Sequence, residues 1–333
     1  MIRIGKISYW HVHAWDYTKQ AQEHPDAEIV AVWDEDPIRG KAAAEKQGVP
    51  FFDSLDEMLK CEEIDAVIVD APTSMHHEVM IKAAEAGKHI FTEKVIAPTL
   101  HEVNEILTSI DKAQVKLTVS LPRLNDGYTL AIQDVLKQGL LGEVTNVRVR
   151  LSHNGATAGW LPEHFYQLEA CHGGALIDLG CHPMYLTRLF LGQEPVEVNA
   201  QFGYITGKEV EDNAVALLST PSGAVGVVEA GFANNFSPFT IEVHGTDGTL
   251  LYGTPDGKLL IRTSQREEYK HEWVTIPVPN NHISAFEQWI THIQQNTLAD
   301  ENIACAIALT KLMEASNISA REHRAVRLDE LKS

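Results

Sequence analysis

The chain is poor in cysteine, in basic charge and in long apolar runs, and each scarcity removes a class of protein. Four cysteines, Cys61, Cys171, Cys181 and Cys305, are too few and too scattered to staple 333 residues, so a reducing, cytoplasmic setting is expected. No apolar stretch approaches the roughly 20 residues that span a bilayer. The start, Met1-Ile2-Arg3-Ile4-Gly5, lacks a basic region followed by a long apolar segment, so no leader or membrane partner is expected. Lysine and arginine number 27 against 46 aspartates and glutamates, a net charge of −19 that disfavours nucleic-acid phosphates and anionic lipid surfaces as partners. Hydrophobic residues make up 44% of the chain, enough to bury two cores.

The first third alternates β-rich runs with amphipathic helical stretches. Ile2 to Ile7, a helix from about Ala14 to Glu23, and Glu28 to Trp33 make a β-α-β start. A helix over Arg39 to Gln47 leads to Pro50-Phe51-Phe52, counted as a third strand. Then come a short helix Leu55 to Lys60, a strand Ala66 to Val69, a helix His76 to Ala86, a strand His89 to Phe91, a helix Leu100 to Ala113, and Lys116 to Val119. This alternation predicts parallel strands with right-handed crossovers, a doubly wound Rossmann domain over residues 1–121. Beyond residue 121 the pattern changes to a helix at Tyr128 to Gln138, a strand Val144 to Leu151, a helix near Ala175 to Phe190 and a run of strands from Val196 to about Ile276. Ser222-Gly223, Asp247-Gly248 and Asp256-Gly257 punctuate that run as turns. The expectation for 122–333 is a second α/β domain built on a large, mostly antiparallel open sheet, closed by helices Ile283 to Gln294 and Ile303 to Ser316.

A dinucleotide turn uses G-x-G-x-x-G to bend tightly, to bring backbone near a pyrophosphate and to pack a helix on a strand. The equivalent stretch here is Ser8-Tyr9-Trp10-His11-Val12-His13, with no glycine at any of the three positions. By itself this turn is equally compatible with a strand-to-helix connection that binds nothing. Asp34, after the second strand, stands where an acid accepts hydrogen bonds from an adenosine ribose and repels a 2′-phosphate. It favours NAD over NADP, although Arg39 is close by, and Asp34-Glu35-Asp36-Pro37 also reads as a helix-capping turn.

Three further blocks are more specific: Ala71-Pro72-Thr73-Ser74-Met75-His76, Phe91-Thr92-Glu93-Lys94-Val95, and Gly173-Gly174-Ala175-Leu176-Ile177-Asp178-Leu179-Gly180-Cys181-His182-Pro183. In this order, with Pro122-Arg123, Gly142-Glu143-Val144, Trp160 and His244-Gly245-Thr246-Asp247-Gly248-Thr249-Leu250, they make the chain resemble the Gfo/Idh/MocA oxidoreductases along essentially its whole length. The resemblance implies an NAD(P)-binding Rossmann domain and a second domain whose open sheet often forms the interface of a homodimer or homotetramer. It implies sugar, cyclitol or related polyol substrates, with Lys94 as the catalytic lysine and Asp178 and His182 as the catalytic pair. Val95 stands where the family's lysine is followed by proline, and Ala175 where a third glycine is usual.

The residue chemistry agrees. Asp178 and His182 are four apart, so one helix would place both on one face, and a histidine oriented by a carboxylate is a suitable general base near neutral pH. His182 would take a hydroxyl proton as hydride leaves the same carbon for the nicotinamide, while Lys94 steadies the developing alkoxide. The cofactor set is read as Ser8, Tyr9, Trp10, His11, Asp34, Arg39, Ala71, Pro72, Thr73, His76, Glu93 and Lys94. The substrate set adds Arg123, Trp160, His164 and His172 to Asp178 and His182. Cys171-His172 and Cys181-His182 offer zinc-type ligands, but their spacing fits no compact finger and no metal is expected. Two other functions share these features: a non-catalytic sensor or scaffold with weakened cofactor binding, suggested by the glycine-free turn, and an NAD-dependent glycoside hydrolase that oxidises and re-reduces its sugar.

Overall fold

The computed structural model describes residues 1–254 and 256–332; Ser333, the last residue of the expected second domain, lies outside them, as does Pro255. Two units emerge: residues 1–121 with 283–310, and residues 122–282 with 311–332. A division falls at 121/122, but the assignment of all of 122–333 to the second domain needs correcting.

The first unit contains β1 (Ile2–Ile7), α1 (Ala14–Glu23), β2 (Ala27–Trp33), α2 (Pro37–Gln47), α3 (Leu55–Lys60), β3 (Ala66–Val69), α4 (His76–Glu85), β4 (His89–Thr92), α5 (Leu100–Ala113) and β5 (Leu117–Val119). Its sheet has the order β2-β1-β3-β4-β5, with every pairing parallel. Local chemistry explains where the helices begin. Asp36 accepts from the amides of Ile38 and Arg39 with Pro37 in the first turn, and Thr99 with Glu102 forms a capping box at α5. Pro50–Phe52 is not a strand of this sheet; Phe51 makes a single isolated parallel bridge to Val32.

Residues 283–310 join this unit because their apolar face is buried there. Phe286, Trp289 and Ile290 share one core cluster with Ile2, Ile4, Tyr17, Ile68 and Phe91, and the Phe91 ring lies 5.6 Å from Phe286 and 5.7 Å from Trp289. The edge of β5 is also covered. Asn302 donates to the Val119 carbonyl at 2.9 Å and accepts from its amide at 2.8 Å, replacing a missing strand with one side-chain amide.

The second unit contains α6 (Gly127–Lys137), β6 (Val144–Ser152), α7 (Gly155–Ala158), α8 (Leu168–Cys171), α9 (Ala175–Asp178), α10 (Cys181–Leu191) and β7 (Glu197–Gly203). It continues with β8 (Asn213–Ser219), β9 (Val225–Gly231), β10 (Thr240–Gly245), β11 (Gly248–Tyr252), β12 (Leu259–Thr263) and β13 (Val274–Ile276). In chain order α11 (Ala285–Gln295) and α12 (Asp300–Glu322) follow, then β14 (Val326–Arg327). The nine-stranded sheet has the order β13-β12-β11-β10-β6-β9-β8-β7-β14 and is antiparallel except at β6/β9. Along β8, Ala214, Ala216 and Leu218 are buried while Val215 and Leu217 face outward, the period-two signature of a sheet covered on one face.

The single helix expected over Ala175 to Phe190 is two. A proline inside a continuous helix would remove an N–H and clash with the preceding turn; Pro183 is tolerated because the helix restarts at Cys181 and places it in a first turn. Among the described residues no helix is long and apolar enough to cross a membrane.

Candidate active site

In the first unit the glycine-free turn reproduces one glycine's backbone without the glycine. Ser8 is fully buried with φ 69°, the left-handed conformation that favours glycine, and its amide donates to the Trp33 carbonyl at 2.7 Å. Tyr9 N–H donates to Asp34 Oδ2 (2.8 Å), Trp10 N–H to Ser8 Oγ (3.0 Å) and His11 N–H to the Asp70 carbonyl (3.1 Å), so the turn is held from inside. Among the described residues the amides of Val12 and Trp15, at the start of α1, have no acceptor. A helix N-terminus with open amides suits an anion. These residues therefore fit a dinucleotide at the helix end, while Trp10 and His13 carry side chains where the usual turn has bare backbone.

At the other end, the Asp34 side chain is fully buried and receives Arg39 Nε at 3.0 Å and Nη2 at 2.6 Å as well as the Asp36 amide at 2.8 Å. Arg39 also reaches Glu35 at 2.5 Å. Burial would lower the Arg39 pKa, but the bonds and charges of Asp34 and Glu35 outweigh it and raise the value. Glu35 is pushed up by burial and by the neighbouring Asp34 charge. Gly40 permits this arrangement: a Cβ there would lie 2.5 Å from both Asp34 Cβ and Phe51 Cε2.

Beyond β3 and β4 the loops are tied together. His76 is buried, with Nδ1 2.9 Å from the Val95 carbonyl and Nε2 3.1 Å from that of Ala71, and burial lowers its pKa. Lys94 is buried, and its amide donates to Glu93 Oε2 at 3.0 Å; the Lys94–Val95 peptide is cis. Glu93 also accepts from Tyr17 Oη, with His11 Nδ1 at 3.6 Å. Burial favours a neutral Glu93, but the charges of His11, Lys94 and His13 and the Tyr17 bond hold its carboxyl below the ordinary value. Tyr17, pushed well above its usual pKa by burial and by Glu93, keeps its proton, and Ser120 Oγ lies 2.6 Å from its oxygen. Beneath the turn, Lys6 and Asp70 form a fully buried ion pair. Neither Tyr17, Ser120 nor Lys6 was singled out by the sequence, since each reads as an ordinary helix, loop or strand residue.

In the second unit the glycine block is gripped by an acid. Glu211 is buried; its Oε2 accepts from the Gly174 amide at 2.8 Å and its Oε1 from the Leu176 amide at 2.9 Å. Burial raises the Glu211 pKa, and the amide bonds pull against that rise. A Cβ on Gly174 would sit 2.2 Å from the Glu211 carbonyl oxygen, so glycine is required there, whereas Ala175, in place of a third glycine, simply starts α9. Asp178 ends α9, and His182 lies in the first turn of α10; the expected continuous helix face does not exist. His182 Nδ1 lies 3.0 Å from Tyr185 Oη, which also accepts from the Arg123 amide at 3.1 Å. The Arg123 guanidinium bonds Tyr128 Oη at 3.1 Å and stacks 4.5 Å from the Phe239 ring.

Trp160 is exposed, donates to Asn154 Oδ1 at 3.1 Å, and lies 4.6 Å from His153. His153, not selected from the sequence, stacks on Phe232 at 5.1 Å; burial lowers its pKa while the Asp178 charge raises it. His164 is half-buried and His172 exposed with φ 59°. Cys171 donates to the His164 carbonyl at 3.3 Å, and burial pushes its thiol up to about 12. Cys181 donates to the Asp178 carbonyl at 2.9 Å. Both thiols are buried and hydrogen-bonded to backbone carbonyls, and among the described residues no cluster of three or more His, Cys, Asp or Glu is arranged to hold a metal.

Residues 1–121 match the model of the oxidoreductase family with an NAD-binding Rossmann fold, and residues 129–251 match the GFO/IDH/MocA C-terminal domain. The chain belongs to the GFO/IDH/MocA oxidoreductase family. It is 29% identical over 252 residues to the 1,5-anhydro-D-fructose reductase of Ensifer adhaerens, covering 72% of this chain and 74% of that one. It is 29% identical over 254 residues to the inositol 2-dehydrogenase of Rhizobium meliloti, covering 74% and 72%. A levoglucosan dehydrogenase solved with NADH and levoglucosan shares the fold, with TM-score 0.81, 20% identity and 98% coverage of each chain. In this GFO/IDH/MocA protein, the NAD-binding domain is the part that carries the glycine-free turn.

Proposed function

We propose that this GFO/IDH/MocA protein is an NAD-dependent dehydrogenase or reductase acting on a hydroxyl-bearing carbon of a sugar, cyclitol or related polyol, or on its keto form. The observation that carries the reading is the match of both family models to this chain, and Lys94, Asp178 and His182, the set that the sequence resemblance implies as catalytic, supports it. Bound nicotinamide would supply the hydride acceptor or donor. Asp34 would hold the adenosine ribose once Arg39, which bonds both of its carboxylate oxygens in this structure, swings aside, and the Val12 and Trp15 amides would hold the pyrophosphate. Lys94 would stabilise negative charge developing on the reacting oxygen, with its backbone set by Glu93. Asp178 and His182 would hydrogen-bond the reacting hydroxyl or carbonyl. NAD is preferred to NADP in this reading because Asp34 and Glu35 together neutralise Arg39 and leave an acidic surround for a 2′-phosphate.

A screen of polyols with NAD, and of their keto forms with NADH, followed by nicotinamide absorbance, tests this. Turnover that collapses in Lys94→Ala and His182→Ala supports it. Glycoside cleavage without net NADH would instead make the chain a hydrolase of the same fold. Saturable NAD binding with turnover of no substrate would favour the sensor or scaffold reading, whose support is the internally bonded turn of Tyr9, Trp10 and His11.

We also propose a homodimer or homotetramer through the outward face of the nine-stranded sheet, where Val215, Leu217 and Val225 are exposed. Sedimentation of wild type against Leu217→Lys tests this, and a monomeric wild type rejects it. The free cysteines support a cytoplasmic setting.

A further inference from the structure

Tyr185 has a restrictive set of partners among the described residues. Its side chain is fully buried, and burial pushes the phenol well above its usual value, so it carries its proton. Among the described residues two groups reach its oxygen: the backbone amide of Arg123 at 3.1 Å and His182 Nδ1 at 3.0 Å. The amide can only donate. The phenol proton therefore has one acceptor among its two neighbours, the Nδ1 lone pair, and a buried O–H without an acceptor is strongly disfavoured.

We infer that Tyr185 is a positioning residue that fixes the tautomer of His182: neutral His182 accepts from Tyr185 at Nδ1 and carries its own proton on Nε2. Arg123 takes part through its backbone, because its amide occupies the phenol oxygen as a donor and directs the O–H towards the ring. The alternative, with Nδ1 protonated, would place two N–H donors on one oxygen and strand the phenol proton in a buried site.

The consequence for chemistry rests on the reading that His182 meets the substrate. Under it, His182 presents an N–H donor, complementary to a carbonyl or alkoxide oxygen, and not the lone pair that a general base needs. That revises the role expected from the sequence, where a four-residue spacing to Asp178 suggested a carboxylate-oriented base. The tautomer itself does not depend on the substrate reading.

The test is ring-¹⁵N spectroscopy of the full chain labelled at histidine, with the His182 signals assigned by difference against His182→Gln. In wild type at a pH where the ring is neutral, Nε2 is expected to be protonated and Nδ1 to be an acceptor shielded by its hydrogen bond. In Tyr185→Phe, which keeps the ring and removes the hydroxyl, the Nδ1 signal moves to higher chemical shift. A protonated Nδ1 in wild type overturns the inference, as does an Nδ1 signal unmoved in a Tyr185→Phe variant with native near-UV dichroism. If the variant does not fold, the wild-type spectrum decides alone. Under the substrate reading, Tyr185→Phe lowers kcat about three- to tenfold with KM within about twofold. The expected spectra together with unchanged turnover in both variants would leave the tautomer standing and remove His182 from the reacting centre.

Discussion

Glu211 gives the sharpest prediction about what shapes the glycine block of the second unit. Its buried carboxylate accepts from the amides of Gly174 and Leu176, at 2.8 and 2.9 Å, and these flank the start of the turn that leads to Asp178. Replacing Glu211 with alanine strands two buried N–H groups. At about 1–3 kcal/mol for each unsatisfied donor, the loss is about 2–6 kcal/mol. Glutamine keeps one acceptor oxygen but turns an amino group towards the second N–H, so Glu211→Gln is expected to cost about 1–3 kcal/mol. The pH dependence has a definite sign. The folded-state pKa of Glu211 lies above its unfolded value, so between the two the folded state holds the extra proton. This contribution is fully present below the ordinary carboxylate value and is lost as pH rises through the raised one. Denaturant unfolding of wild type and Glu211→Gln across that window should show stability falling with pH in wild type relative to the variant. Glu211→Ala within about 0.5 kcal/mol of wild type would refute the carboxylate grip, and a variant curve parallel to wild type would refute the raised pKa.

Three further outcomes follow from the first unit. Gly40→Ala forces a methyl to 2.5 Å from Asp34 Cβ, so NAD affinity measured by calorimetry should drop about tenfold while the circular dichroism stays native. Trp289→Ala should cost about 3–5 kcal/mol in denaturant unfolding, because Trp289 is fully buried in the cluster with Phe91 and Phe286; a loss under about 1 kcal/mol would remove residues 283–310 from that core. Asn302→Ala should speed hydrogen exchange at the Val119 amide by about tenfold, since the β5 edge loses both of its side-chain bonds.

Hydrophobic period and helix caps made the Rossmann half readable. Strands such as Ala66–Val69 are uniformly apolar because both faces are buried, and Asp36-Pro37 and Thr99 to Glu102 announce helix starts in local sequence. Lys94, Asp178 and His182 are candidates because their motifs resemble a family, not because spacing alone dictates their chemistry. What stayed hidden depends on contacts distant in sequence. Tyr17 and Glu93 are 76 positions apart, and Glu211 lies 37 positions beyond Gly174; the acid pair Glu211-Asp212 ahead of β8 was the only local hint. The break between α9 and α10 was within reach, since Pro183 cannot lie in the middle of one helix. The left-handed Ser8 was not, because serine seldom adopts that backbone, and what it gains there, including the bond from the Trp10 amide to its hydroxyl, is visible only in the fold. The 283–310 segment was misassigned because an amphipathic face shows that a helix is buried and not what it is buried against.

Calorimetric titration of the folded, cofactor-free protein with NAD and, separately, NADP bears most directly on the central claim, that a glycine-free turn still serves an NAD-dependent oxidoreductase. Micromolar NAD binding, weaker NADP binding, and loss of the NAD signal in Asp34→Ala are the predicted results. Folded protein that binds neither dinucleotide would contradict the account.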